Sequence, residues 1–264
     1  MSDKSVIAKF NAEMFGKASY FCGCDFREFL NGVYIFRSDI GGVHLVATNA
    51  HHIVFFYDQD GYSHLDELFI PIKNEFTKFS RKVSNKNSNV EIISGKNLPK
   101  SFDQIGDKMH PRLNGIEFSI PLDKSLKPLT KERLKKIVPE IRSYKKINAS
   151  YNLEYLKKLR HLKLTNKKYQ ERSKECAFHN NFVFTTGKKK ELMIAGLNVF
   201  YMVMPLISSS SNSISIKEHI YQLTMQDQDI LSAAVHKKNI NQIFESISLK
   251  VNGSYYDSLN QRVK

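Results

Sequence analysis

The sequence predicts an α+β fold made of two tandem copies of one domain, each with two helices on antiparallel sheets. The 264 residues leave room for two domains of ordinary size. Apolar residues recur with helical spacing in some segments and alternate as in strands in others. Several segments of the first half also return in the second half. We therefore expect a first domain at 1–125, a connector at 126–146 and a second domain at 147–264.

The first copy should begin with a helix over Ala8–Phe21, because Phe10, Met14, Ala18 and Phe21 lie on one helical face. A hairpin with a Gly41-Gly42 turn should follow, then a third strand and a second helix whose apolar residues recur every three or four positions. These predicted elements are Gly32–Phe36, Val43–Thr48, His52–Tyr57 and Ile72–Val83.

Four segments return in the same order, 141 to 149 positions later. They are Ala8–Asn11 with Ala149–Asn152, Asn31–Ile35 with Asn180–Phe184, Leu45–Ala47 with Leu192–Ala195, and Ile70–Lys73 with Ile214–Lys217. The repeat predicts a third helix at Asn152–Leu164 and a fourth at Ile216–Asp227. It also places Tyr201–Leu206 inside the second copy, and the Pro- and Lys-rich Pro121–Lys146 between the copies.

The chain carries 40 Lys and Arg against 26 Asp and Glu, a net charge of +14. Such a charge favours a polyanion, with nucleic acid first, although a merely basic surface is the alternative. On the second helix Lys73, Lys78, Arg81 and Lys82 spread over the side opposite the apolar residues, against the single acid Glu75. Solvated helix faces are often charged, but this imbalance of sign is typical of helices that neutralise DNA phosphates.

Basic residues off the apolar sides of the other helices complete the predicted DNA-binding set, to which the fourth helix contributes little. That set is Lys9, Lys17, Lys73, Lys78, Arg81, Lys82, Lys157, Lys158, Arg160 and Lys217. No helix-turn-helix, zinc-finger or RNA-recognition motif is visible, so the binding should be independent of base sequence.

Nothing in the sequence indicates an enzyme or a cofactor, since phosphate-loop, dinucleotide and nucleophile-elbow motifs are missing. His51-His52 is the best metal candidate, but neighbouring strand residues point to opposite faces. Cys22 and Cys24 lack a second pair for zinc, and with Cys176 the cysteines are odd in number, as in reducing compartments. No apolar run reaches membrane-spanning length. We expect a soluble, cytoplasmic protein.

Two stretches, Asp25–Phe36 and Leu45–Ile53, resemble the middle domain of bacterial sliding clamps, the beta subunits of DNA polymerase III. That family shows the pattern YLNGVLFE followed by LVATDGHRLA, from which Asn49, Ala50 and His52 depart here. Phe69–Lys73 is similar to the family's entry into its second helix, and Ile137–Pro139 to its crossing into the next domain.

The resemblance implies two DNA-clamp-type domains and a ring around duplex DNA that tethers a DNA polymerase in DNA replication. Two-domain clamps resembling proliferating cell nuclear antigen close as homotrimers, which we expect here, with an ATP-dependent clamp loader as partner. A phage or viral source, acting in the host cytoplasm, would suit so compact a version. The family's pocket for partner peptides maps onto Thr48, Ala50, His51, His52, Ile53 and Pro139.

A second function stays open. The chain would then be a clamp-like regulator or decoy that binds polymerase or transcription proteins without encircling DNA. For the pocket residues the alternative is that Ile53 belongs to a strand core and that the histidines cap a turn.

Overall fold

The computed structural model describes 4–24, 27–39, 41–83, 88–95, 98–123, 130, 133, 141–142, 149–162, 164, 183–187, 191–196, 198–205 and 213–216. The chain divides into two compact units, one of residues 1–50 and 54–134, the other of 51–53 and 135–264. Pro139, Cys176 and the predicted helix after Ile216 lie outside the described residues. The domain boundaries expected from the sequence therefore stay a prediction.

The first unit contains two short α-helices, three 3-10 turns and ten strands, counting β4, which begins in the second unit. The strands are β1 Ser5–Asn11, β2 Gly32–Arg37, β3 Val43–Thr48, β4 His52–Asp58, β5 Tyr62–Ser63, β6 Glu67–Pro71, β7 Asn89–Ser94, β8 Lys108–Leu113, β9 Ile116–Glu117 and β10 Ile120–Pro121. The helices are α1 Ala12–Ala18 and α2 Glu75–Ser80, and the 3-10 turns are Ser19–Phe21, Glu28–Leu30 and Phe102–Gln104.

These strands form two sheets. One has the order β10-β8-β7-β1-β5, with β9 paired to β8, and the other runs β4-β3-β2-β6 in this unit. The strands of both sheets pair in antiparallel fashion, as β1–β7, β2–β3 and β2–β6 illustrate. The predicted α+β fold is thus confirmed.

A chain of aromatic rings forms the centre of the first unit. Phe10 of β1 contacts Phe15 of α1 at a centroid distance of 5.8 Å, and Phe15 contacts Phe76 of α2 at 5.0 Å. Phe118, between β9 and β10, lies 5.5 Å from Phe76 and 5.4 Å from Phe79. Offset and tilted ring pairs of this kind stabilise a core beyond the area they bury, so they tie both helices to the sheet.

The first helix begins later than predicted, because Ser5–Asn11 is a strand. Its pairing with β7 shifts register between Val6 and Ala8, which marks a bulge. Ile7 and Ala8 are consequently both buried, and the alternation expected of a strand is lost. The helix covers only Ala12–Ala18, and the 3-10 turn Ser19–Phe21 follows it.

The second unit repeats part of this plan. Its described elements are β11 Ile141–Arg142, β12 Ala149–Asn152, α3 Leu153–Lys157 with a 3-10 turn at Lys158–His161, β13 Val183–Gly187, β14 Leu192–Gly196, β15 Val199–Val203 and β16 Ser213–Ile216. β12 leads into α3 as β1 leads into α1, and β13, β14 and β15 form an antiparallel meander. β15 is followed by β16 and is not the last strand of the unit.

One of the four proposed correspondences is wrong. Ile70 and Pro71 pair with Val33 and Gly32 in β2. Ile214–Ile216 instead pairs with β12, so it is a partner of the strand that precedes a helix and does not open a helix itself. Part of the predicted connector is also a strand, since β11 pairs with β13.

Candidate nucleic-acid interface

The helix α2 is fixed at its start by a side-chain cap. Asn74 adopts an extended backbone, and its Oδ1 accepts a hydrogen bond from the Thr77 amide at 2.7 Å. Phe76, Thr77 and Ser80 are buried on the side toward the core. The helix is shorter than the predicted Ile72–Val83, but it keeps the predicted division into a buried and an exposed side.

The exposed side carries the four predicted bases, which we call the α2 basic face (Lys73, Lys78, Arg81 and Lys82). Lys78 Nζ lies 2.7 Å from Glu75 Oε1, and this hydrogen bond lowers the pKa of the glutamate. Exposed ion pairs of this kind stabilise proteins little, but they reduce the free positive charge. Among the described residues, Lys73 and Lys82 have no ion-pair partner within 4.0 Å, so the net charge of the face comes chiefly from them.

Arg81 has a structural role that the sequence did not indicate. Its Nε donates to Ser19 Oγ at 2.7 Å and its terminal nitrogen to the Ser19 carbonyl at 2.9 Å. The guanidinium also lies 4.5 Å from the centre of the Tyr20 ring. Arg81 therefore joins the end of α2 to the 3-10 turn after α1, while part of the side chain remains exposed.

The other predicted DNA-binding residues are less available than a helical projection suggests. Lys17 pairs with Glu13 at 2.8 Å, and both side chains are mostly covered. Lys157 pairs with Glu154 at 2.6 Å on the exposed side of α3. Arg160 Nε donates to the neighbouring His161 ring at 3.1 Å. Lys217 lies outside the described residues.

Lys9 is not on a helix at all, because it belongs to β1. It lies opposite Glu91 in β7, Glu91 lies opposite Arg112 in β8, and Arg112 lies opposite Glu117 in β9. Arg112 Nε donates to Glu91 at 3.1 Å, and Lys4 Nζ lies 2.7 Å from Glu117. Lys9 thus belongs to a row of alternating charges across the sheet, which we call the charge row (Lys9, Glu91, Arg112 and Glu117).

The residues predicted to form a partner pocket fall into both units. In the first unit, Thr48 ends β3, and its Oγ1 accepts a hydrogen bond from the Ala50 amide at 3.1 Å. Ala50 has φ +74°, in the left-handed region that favours glycine. The family pattern has glycine at this position, so the turn keeps its backbone shape here despite the substitution.

In the second unit, His51 is exposed, whereas His52 and Ile53 are each 1% exposed. His52 lies edge-on to Tyr155 with ring centres 4.8 Å apart, and Tyr201 donates its hydroxyl to the Tyr155 carbonyl at 2.9 Å. Burial raises the pKa of Tyr201 well above its ordinary value. His52 and Ile53 are therefore packed inside this structure, and Pro139 lies outside the described residues.

Lys158 contacts the same cluster, since its Nζ lies 3.5 Å from His52 Nε2. An ammonium group can only donate, so a hydrogen bond here requires Nε2 to be the acceptor and the imidazole to be neutral. Lys158 is accordingly engaged within its own unit and is only partly exposed.

Sequence reasoning missed Asp58, which is 2% exposed. Its Oδ2 accepts from the Asn11 amide at 2.7 Å and its Oδ1 from the Asp60 amide at 3.2 Å. The carboxylate therefore holds the turn after β4 against the start of α1. The only signal in the sequence was the turn composition of Asp58–Gly61.

Two negative observations concern the part of the chain that the structure describes. No group of three or more His, Cys, Asp or Glu side chains there is placed to hold a metal ion. No helix there has the length and apolar character needed to cross a bilayer.

No family model and no curated protein matches this sequence. Among solved structures, the DNA polymerase III subunit beta of Borrelia burgdorferi aligns with 79% of this chain and 65% of its own, at 14% identity and a TM-score of 0.46. The DNA polymerase sliding clamp of Pseudomonas aeruginosa gives 77%, 67%, 14% and 0.45 for the same quantities. The chain is similar to bacterial sliding clamps. The DNA polymerase III beta subunit of Thermotoga maritima gives 76%, 65%, 10% and 0.43, so the chain spans about two thirds of these proteins.

Proposed function

We propose that this chain is a sliding clamp subunit that encircles duplex DNA and tethers a DNA polymerase to it. The observation that carries the proposal is the α2 basic face, a helix surface with several cations and one acid on a repeated α+β scaffold. Each unit opens with a strand that runs into an asparagine-capped helix. A ring made of repeated units is the architecture that such a scaffold would serve.

The sequence resemblance supports the proposal where it coincides with local structure. The segment that matches the family pattern forms β2, β3 and the turn between β3 and β4. Ala50 takes the backbone conformation expected of the family's glycine. Ile70-Pro71 ends β6 just before the Asn74 cap of α2, as a strand leading into the second helix should.

Phosphate neutralisation suits this function because a clamp must move along DNA without reading bases. Each cation that contacts a phosphate releases a counterion, which gives attraction that is independent of sequence and sensitive to salt. The two bases of the α2 basic face without ion-pair partners in the described structure, Lys73 and Lys82, are the strongest candidates. We propose contributions from Lys78 and Arg81 as well, each reduced by its contact within the protein.

The assembly we propose is a homotrimer. Three chains of two clamp-type domains give a closed ring of six, the same count as in other sliding clamps. A closed ring implies an ATP-dependent loader as a further partner, besides the polymerase. The exposed His51 and the turn at Thr48 and Ala50 remain proposed partner contacts.

A regulator that binds replication or transcription proteins without encircling DNA is the second candidate. The ion pairs of Lys17, Lys78 and Lys157 favour it, because they neutralise bases that a DNA channel would use. Oligomeric state separates the two functions, since only a ring requires several copies.

Light scattering at several protein concentrations tests the proposal directly. A sliding clamp should give a mass three times 30.5 kDa. Rings assembled from dilute protein around a nicked circular plasmid should stay on the circle during gel filtration in high salt and leave it once the plasmid is linearised. A chain that is monomeric at every concentration, or whose retention is the same on circular and linear DNA, is not a sliding clamp.

A further inference from the structure

The first unit contains a small cleft of about 190 Å³ beside β6, which we call the β6 cleft. Apolar side chains line it, among them Phe69 of β6, Phe102 of the third 3-10 turn and Leu122 after β10. Glu28, Lys73 and Asp123 supply charged groups around it. None of the residues predicted for the family's partner pocket lies here.

The cleft is formed by segments that are distant in sequence and held by ordered contacts. Phe69 lies directly over Gly32, where a Cβ atom would come within 2.3 Å of the phenylalanine ring. The Ile72 amide donates to the Asn31 carbonyl at 3.0 Å, which fixes the end of β6 against the start of β2. A pocket that is already shaped before binding loses little entropy when it is filled.

The size and charge of the cleft indicate its occupant. Pockets for small molecules usually enclose about 300–1,000 Å³. The β6 cleft is smaller and suits one bulky side chain. Two carboxylates, Glu28 and Asp123, face one ammonium, Lys73, although the whole chain carries +14. The cleft thus has a local excess of negative charge, which disfavours phosphate and favours a cationic neighbour of the bound side chain.

Strand β6 adds a second element of recognition, because it is the last strand of its sheet in the described structure. The Arg37 amide donates to the Asp66 carbonyl and the Ile72 amide to the Asn31 carbonyl, so residues 66, 68, 70 and 72 face β2. Glu67 and Phe69, which alternate with them, therefore direct their backbone groups toward the open edge. Extended peptides bind such edges by adding a strand.

We propose that the β6 cleft binds an extended peptide of a partner protein, in which one large apolar side chain is flanked by lysine or arginine. The apolar side chain enters between Phe69, Phe102 and Leu122, and the flanking cation lies near Glu28 and Asp123. The backbone of the peptide pairs with Glu67 and Phe69. This proposal does not depend on the clamp function, because it uses neither a ring nor DNA.

The test is a selection from a displayed library of random nine-residue peptides on the full-length protein, followed by fluorescence polarisation with the synthetic winners. We expect the winners to share one Leu, Ile, Met, Phe or Tyr next to Lys or Arg. Leu122→Ser should abolish their binding, and Glu28→Lys should weaken it about tenfold by placing like charges together. Asp103→Lys, an equal charge change at an exposed acid outside the cleft, should leave it unchanged.

The Glu28→Lys arm does not depend on a core position, so it remains informative if Leu122→Ser unfolds. Winners without the shared pattern, or with equal affinity for Glu28→Lys and Asp103→Lys, would overturn the proposal. So would a failure to select any binder. A change of oligomeric mass in the cleft variants would also overturn it, by making the cleft an interface between copies of this chain.

Discussion

Asn11 and Asn152 cap two different helices in the same way, 141 residues apart. Asn11 Oδ1 accepts from the Met14 amide at 3.0 Å, and Asn152 Oδ1 accepts from the Glu154 amide at 2.8 Å. Their backbone angles agree closely, with φ and ψ of −67° and 127° against −65° and 123°. The repeated Ala-x-aromatic-Asn sequence is therefore a repeated helix start.

Removing the first cap should lower stability. We expect Asn11→Ala to reduce the free energy of unfolding by about 1 kcal/mol, because the Met14 amide loses its acceptor. Urea denaturation followed by circular dichroism measures the change. Asn11→Ser is the matched control, since serine can accept the same hydrogen bond. Equal losses in both variants would show that the cap is not the stabilising contact.

Restoring glycine at position 50 should raise stability. An alanine in the left-handed region costs about 1–2 kcal/mol, whereas glycine loses about 0.5–1 kcal/mol more chain entropy on folding. The first effect is larger, so Ala50→Gly should stabilise by about 0.5–1 kcal/mol in the same assay. Ala47→Gly, in the middle of β3, should destabilise. A loss of stability in Ala50→Gly would contradict the strain at this turn.

Reversing two charges on the α2 basic face should weaken DNA binding without unfolding the protein. For Lys73→Glu with Lys82→Glu we expect the slope of log K against log salt to fall by roughly 0.9 for each phosphate that the protein no longer neutralises. Filter binding to duplex DNA between low and moderate salt gives this slope. Lys100→Glu, at an exposed base elsewhere in the same unit, is the control. A slope unchanged from that of the control would remove these residues from the interface.

Arg81 should resist conservative replacement. Lysine cannot donate to Ser19 Oγ and to the Ser19 carbonyl with the planar geometry of a guanidinium, so Arg81→Lys should destabilise by about 1 kcal/mol although charge is kept. Lys82→Arg, one position along, should leave the melting temperature unchanged. An Arg81→Lys protein that melts like the wild type would show that the link from α2 to the turn after α1 is dispensable.

The carboxyl group of Glu117 should titrate below its ordinary range, because the hydrogen bond from Lys4 lowers its pKa. A group whose pKa is depressed by folding stabilises the protein above its unfolded-state pKa and loses that effect as the pH falls through the folded-state value. Lys4→Gln should raise the pKa of Glu117, as measured by carbon-detected NMR titration. A pKa that does not respond to Lys4→Gln would contradict the assignment of its cause.

The strands β2, β3 and β4 could be predicted almost to the residue, since glycine turns and apolar runs bound them clearly. The first helix could not, because a bulge in β1 buries Ile7 and Ala8 together and Phe10 happens to fall at helical spacing from Met14. Strand pairing between distant segments was equally hidden. Ile214–Ile216 looks like Ile70–Ile72 in sequence, yet it pairs with β12.

For the candidate interface, the sequence indicated which residues are basic and roughly which side of α2 they occupy. It did not show that Arg81 reaches Ser19, since the two are 62 positions apart. It also misplaced Lys9 on a helix. Side-chain partners depend on tertiary contacts that no periodicity encodes, so the availability of each cation had to come from the structure.

The charge row on the β1, β7, β8 and β9 sheet gives the first unit an electrically uneven outline. Lys9 and Arg112 alternate with Glu91 and Glu117, so their fields largely cancel within a few ångströms of the surface. The α2 basic face, with four cations and one carboxylate, has no such cancellation. An approaching polyanion would consequently experience a torque as well as an attraction, and the unit would turn its helix toward the polymer before contact.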